Sequence, residues 1–95
     1  MIFKDKVYKT TQKIPKGKVA TYKSIAVAIG SPRASRGVAN ALARNFDPKI
    51  PCHRVVRSDG TLGGYNRDGA AKKTKLLRAE GVLVLKNKVS KQSII

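Results

Sequence analysis

The stretch TYKSIAVAIGSPRASRGVANALAR, residues 21–44, reads as two helices on either side of a tight turn. Thr21 is an N-cap residue by type, with an oxygen that can accept from the first free N–H groups of a helix. Residues 22–29 then form one short helix, with Ile25, Ala26 and Ile29 turned inward. Gly30-Ser31-Pro32 is the turn. Ser31 is expected to cap the next helix, with Pro32 at its first position, where a missing N–H costs nothing. That helix is predicted over residues 33–44, with Val38 and Leu42 as core positions. Arg33, Arg36 and Asn40 fall on a common side at spacings of three and four. Ala34, Ser35 and Gly37 are small and would let a bulky surface approach closely. Short helix, tight turn and arginine-bearing helix together make a helix-turn-helix pattern. Many small helical domains also contain such a pair, and Arg36 reads equally as a solvated charge.

Working outward, residues 3–13 read as a preceding helix. Phe3, Val7 and Ile14 can share one face, with Tyr8 beside them and lysines opposite. Pro15-Lys16-Gly17-Lys18 breaks it. On the other side, a loop over 45–50 feeds Pro51-Cys52-His53-Arg54-Val55-Val56. Val55 and Val56 read as the start of a strand. Asp59-Gly60 is a hairpin turn signal, and Thr61-Leu62 would be the return strand of a small wing. A loop over 63–69 carries one aromatic. Residues 70–79 form a last helix, with Leu76 and Leu77 buried, Lys72, Lys73 and Lys75 exposed, and Gly81 in the capping place. A short strand over 82–85 and a frayed basic tail follow. No repeat, linker or second domain is visible. The expected fold is mostly α with a small β wing, a winged helix-turn-helix occupying 1–95 as one domain.

Ninety-five residues can bury roughly 60–70% of the unfolded surface, enough for a modest core. The chain has 21 Lys and Arg against 5 Asp and Glu, a formal charge of +16. Such a charge opposes compaction and favours a polyanionic partner, nucleic acid first. A membrane is the weaker candidate, since no long apolar run or lipidation signal supports it. The N-terminus lacks the apolar core of a secretion signal. A single free thiol fits a reducing cytoplasm. No group of Cys, His and acidic residues has metal-ligand spacing, so no metal is expected.

Cys52 and His53 are the only residues of their types, and they are adjacent. Pro51 restricts the backbone immediately before them. A nucleophilic thiolate needs a lowered pKa, which nearby cations and a proton-accepting base supply. In a strand His53 would point away from Cys52, so their contact needs a bend or a bridging water. Glu80, one of few acids, could orient the imidazole. Each residue also has a plainer reading: a small buried hydrophobe for Cys52, a backbone-bonded core histidine for His53, a partner of surface lysines for Glu80.

Pro51-Cys52-His53-Arg54-Val55-Val56 resembles the active-site motif of the O6-alkylguanine-DNA alkyltransferases, the methylated-DNA–protein-cysteine methyltransferases. Gly17-Lys18-Val19-Ala20-Thr21-Tyr22 resembles that family's lead-in to its helix-turn-helix. Residues 33–45 resemble its recognition helix and the asparagine after it. Ser58-Asp59-Gly60, Gly63-Gly64-Tyr65, Leu76-Leu77 and Glu80-Gly81 follow in the same order, so the similarity covers nearly the whole chain.

The resemblance implies a helix-turn-helix that enters the minor groove of double-stranded DNA containing O6-alkylguanine. Arg33, Ala34, Ser35 and Gly37 would lie on that contacting surface. Arg36 would fill the gap left by the damaged nucleotide, and Tyr22 would help rotate that nucleotide outward. Flipping costs a few kcal/mol and is cheapest for a weakly paired base. Cys52 would then attack the alkyl carbon in line. His53 would accept the thiol proton through a water, Glu80 would steady His53, and Tyr22 would supply a proton or hydrogen bond to the departing guanine. Backbone groups near Cys52, Val55 and Asn66 would read the guanine edge. Tyr65 would wall the pocket, and Asn45 would brace the turn between helix and nucleophile. The thioether is stable, so each chain would act once, as a monomer without cofactor.

Against the family pattern, an N-terminal domain is expected to be missing, Phe46 stands where proline is common, the loop to Pro51 is slightly short, and the 66–69 loop slightly long. The rival reading is an alkyltransferase-like protein, which binds alkylated guanine, recruits other repair machinery and typically has tryptophan in place of the nucleophile. A non-catalytic DNA-binding protein is a third class, but it leaves residues 51–56 unexplained.

Overall fold

A computed structural model describes residues 2–63 and 69–95. Its elements run α1 (Phe3–Thr11), β1 (Ala20–Thr21), α2 (Tyr22–Ala28), α3 (Ser35–Ala43), a 3₁₀ turn (Cys52–Arg54), β2 (Val55–Val56), α4 (Gly69–Ala79), β3 (Val84–Leu85), β4 (Lys88–Val89) and a second 3₁₀ turn (Lys91–Ser93). Among the described residues the architecture is mostly helical, with four helices and small β elements, as the sequence pattern predicts.

α1 stops at Thr11, two residues short of expectation. The N–H groups of Lys13 and Ile14 bond back only three residues, tightening the chain before Pro15. Val7 and Ile14 are buried as predicted, whereas Phe3 is 37% exposed. α2 begins where expected. Thr21 Oγ1 accepts from Ser24 N (3.0 Å), and Thr21 N donates to Ser24 Oγ (3.1 Å), a reciprocal capping box.

α3 starts later than predicted, at Ser35, and Ser31 does not cap it. The reason lies at the end of α2. The N–H groups of Gly30 and Ser31 bond to the carbonyls of Val27 and Ala26, with Gly30 at φ +81°. Ser31 thereby completes the closure of the preceding helix. A further turn, Ala34 N to Ser31 O at 2.9 Å, carries Pro32 and Arg33 before α3 begins. Arg33 is thus outside the helix and exposed.

The sheets also depart from the expected wing. β2 pairs with β1 in parallel, Ala20 opposite Val55 and Thr21 opposite Val56. Thr61-Leu62 is no return strand of β2: the turn closes through Arg57 N to Thr61 O, and Thr61 bridges Lys88. The hairpin is β3–β4 instead, with Lys86 and Asn87 at positive φ in its two-residue loop. The tail is tied down rather than frayed. Val19 N donates to Ser93 O (2.8 Å), and Ile95 N donates to Val19 O (2.9 Å).

Among the described residues two apolar clusters result. The first joins α1, α2 and α3 through Val7, Ile14, Ile25, Ala26, Val38, Ala41 and Leu42, with Ala20, Cys52 and Val55. The second joins α4 and the hairpin through Leu77, Val82, Val84 and Val89, with Val19, Val56 and Leu62. Adjacent strand residues face opposite ways, so the β1–β2 pair is the wall between the two cores.

Candidate active site

The segment carrying Cys52 is set by its backbone. Pro51 sits at φ −79° and ψ 68°, the inverse γ-turn conformation, and Cys52 N donates to Ile50 O across it (2.8 Å). Cys52–Arg54 then makes a single 3₁₀ turn, with Arg54 N donating to Pro51 O (2.9 Å). Cys52 therefore precedes the strand rather than lying in it. The opposite-face geometry expected of a strand does not apply to Cys52 and His53.

Cys52 is buried, with 6% of its surface exposed. Asn45 Nδ2 lies 2.7 Å from its sulfur and donates to it, and also donates to Asp47 O (3.2 Å). Asn45 Oδ1 accepts from Asp47 N (3.1 Å), and Asn45 N donates to Leu42 O, tying the nucleophile segment to the end of α3.

His53 Nε2 lies 3.0 Å from Glu80 Oε2. Burial pushes the Glu80 carboxyl up, but hydrogen bonds from Arg54 and His53 outweigh this and hold it below the usual carboxylate range. An ionised carboxylate can only accept, so Nε2 carries the hydrogen and Nδ1 is left as the basic nitrogen. Burial lowers the His53 pKa against the pull of Glu80, with Arg54 and Lys73 adding to the lowering. The imidazole is therefore neutral at physiological pH.

Tyr22, half-buried at the start of α2, has its pKa raised by burial, against Arg57 and with Cys52. It stays a protonated phenol. On α3, Arg36 and Asn40 are exposed opposite the Val38–Leu42 side, while Ala34 and Ser35 are half-buried. Gly37 is half-buried beside α1. A Cβ there would stand 3.3 Å from the Phe3 ring, so its small size admits a neighbour within the chain. Val55 is fully buried. Its N–H donates to Cys52 O and its carbonyl accepts from Lys73, so its main chain is already engaged. Tyr65 and Asn66 lie outside the described residues.

Two residues of the site escaped sequence reasoning. Lys73, expected at the surface, is 1% exposed and gives its ammonium to Val55 O (2.7 Å) and Leu62 O (2.6 Å), with the Tyr22 ring 5.8 Å away. Burial lowers its pKa to about 8, opposed by Cys52 and assisted by Arg57. Its signal was present: Lys73, Leu77 and Glu80 stand four and three apart, on one helical face. Arg54 is the second. Its Nε and one terminal nitrogen grip Glu80 Oε1 (2.9 Å) and Oε2 (2.8 Å), and the other terminal nitrogen donates to Ile14 O (2.8 Å). Among the described residues no three His, Cys, Asp or Glu gather as a metal set, and no helix is long and apolar enough to cross a membrane.

The family model for the DNA-binding domain of 6-O-methylguanine DNA methyltransferase matches residues 2–82, and the chain belongs to that family. The chain is 49% identical over 79 residues to the bifunctional transcriptional activator/DNA repair enzyme Ada of Escherichia coli, covering 82% of this chain and 22% of that protein. It is 51% identical over 84 residues to the methylated-DNA–protein-cysteine methyltransferase of Metallosphaera sedula, covering 86% of this chain and 51% of that one. The chain thus spans about a fifth to a half of these relatives. Among solved structures, Schizosaccharomyces pombe Atl1 in complex with damaged DNA containing O6-carboxymethylguanine superposes with a TM-score of 0.89 at 28% identity, over 100% of this chain and 98% of that one. Mycobacterium tuberculosis OGT in complex with DNA superposes at 0.79 and 38% identity, over 84% and 50%.

Proposed function

We propose that the chain repairs O6-alkylguanine in double-stranded DNA by moving the alkyl group onto Cys52 in a single turnover. The observation that carries this reading is the thiol of Cys52, held by Asn45 and preceding a neutral histidine bound to an ionised Glu80. In the proposed reaction Cys52 gives its proton through a water to His53 Nδ1. The thiolate attacks the alkyl carbon, an S–C bond forms, and the C–O6 bond breaks with its electron pair going to guanine. Tyr22, kept as a phenol by burial, supplies the proton that neutralises the departing base. Arg36, exposed on α3, would occupy the space of the extruded nucleotide, and Arg33, Ala34 and Ser35 would lie along the groove. The +16 charge supports a phosphate-led approach. Tyr65 and Asn66 would complete the pocket by family resemblance.

Incubation with a duplex containing O6-methylguanine, followed by intact-protein and peptide mass spectrometry, tests the reading. The expected result is one methyl group on the peptide holding Cys52. A second reading, lesion binding without transfer, is favoured by the whole-chain fit to Atl1. Tight binding of the lesion with an unmodified Cys52 would establish that reading instead. Equal affinity for damaged and undamaged duplex, without transfer, would leave only a general DNA binder.

A further inference from the structure

Arg54 joins Glu80 to the segment after α1. All three of its guanidinium nitrogens are engaged, two on the Glu80 carboxylate and one on the Ile14 carbonyl beyond the end of α1. Glu80 Oε2 is shared between Arg54 and His53, at 2.8 and 3.0 Å. We propose that Arg54 is a positioning residue for the alkyl transfer. It fixes the Glu80 carboxylate against His53 and offsets its charge, so that the imidazole is held in one tautomer without being driven to take up a proton.

The physical reason is a conflict in the pair itself. A carboxylate orients an imidazole well, but its charge also favours the imidazolium, which cannot accept the thiol proton. A guanidinium gripping both carboxylate oxygens keeps the orientation and removes most of the net charge. The groups facing His53 are consistent with this. Glu80 at the end of α4 raises its proton affinity, while Arg54 on its own turn and Lys73 on α4 lower it. The anchor on Ile14 O joins the clamp to α1, so the geometry is fixed from three elements at once.

The inference rests on the transfer reading above, and the two can fail separately. His53 is the only histidine, so its ring protons can be titrated by NMR without ambiguity. Arg54→Gln is expected to raise the His53 midpoint by about one pH unit. The acid limb of the transfer rate from O6-methylguanine duplex should move upward with it. Arg54→Lys keeps a cation but not the two-point grip. Its His53 midpoint should stay near that of the wild type, while transfer slows by roughly tenfold. An unchanged midpoint in Arg54→Gln, or wild-type transfer in Arg54→Lys, overturns the proposal; should Arg54→Gln fail to fold, the Arg54→Lys arm decides alone. Absence of transfer by the wild type would sink the transfer reading, while the titration would still report on the clamp.

Discussion

The two halves of the molecule handle charge differently. In the helix-turn-helix half, α1 to α3, arginines and lysines point outward and the core is aliphatic. In the half built from α4 and the hairpin, a lysine is fully buried, and at the C-terminal end of α4 Glu80 is enclosed by His53 and Arg54. The first half presents its cations to solvent. The second also has exposed cations, but it takes Lys73 and the Glu80 carboxylate inside. Cys52 sits where the two meet, lodged in the first core with Asn45 on its sulfur, while Lys73 of the second half senses its charge.

The largest effect that sharpens this division is on Cys52. Cys52→Ala should abolish alkyl transfer entirely and leave lesion affinity within a few-fold of wild type, as read by mass spectrometry and gel shift. Loss of binding along with transfer would mean that the thiol also shapes the groove-facing half.

Next come the cores. Leu42→Ala and Leu77→Ala, one in each cluster, should each cost about 2–5 kcal/mol. Because the β1–β2 wall is common to both, denaturant unfolding should stay a single transition in either variant. Two separated transitions would show that the halves fold independently.

Lys73 offers a pH test. Its folded pKa of about 8 lies below the ordinary 10.5, so between these values the unfolded chain holds the proton that the folded one has lost. Stability therefore rises with pH through that window. Relative to Lys73→Met, the wild type should gain ~3 kcal/mol between pH 8 and 10.5. A constant difference between the two proteins across this range would contradict the buried ammonium.

For the outward half, Arg36→Ala should slow repair in duplex by about a hundredfold, the cost of a lost flipping aid of a few kcal/mol. Transfer from the free alkylated base should be nearly unchanged. Equal slowing on both substrates would remove Arg36 from the role of inserted residue. The smallest effect is at the cap: Thr21→Ala should lower stability by ~1 kcal/mol in thermal unfolding, with transfer by the folded protein intact.

The halves also differ in how far they could be read from residues alone. α2, its cap at Thr21, and the core positions Val38 and Leu42 follow from spacing and residue type, which act within a few residues. The late start of α3 was hidden because Ser31 can serve either helix, and the main-chain bond to Ala26 decides which. In the second half the decisive partners are far apart in sequence: β1 with β2, Thr61 with Lys88, Val19 with Ile94. Nothing local in Thr61-Leu62 shows that its partner is Lys88 rather than a residue back along the chain. Lys73 looked like its exposed neighbours, although its spacing from Leu77 and Glu80 already put it on the inner face.

The amino-acid order by itself determined a helix-turn-helix, an isolated thiol beside a lone imidazole, and a strongly cationic chain, because these depend on short-range periodicity and composition. Only the tertiary structure decided that Arg54 and His53 share one carboxylate, that Asn45 reaches the sulfur and that Lys73 is enclosed. Those are long-range contacts, and their electrostatic worth depends on how much water the finished fold excludes.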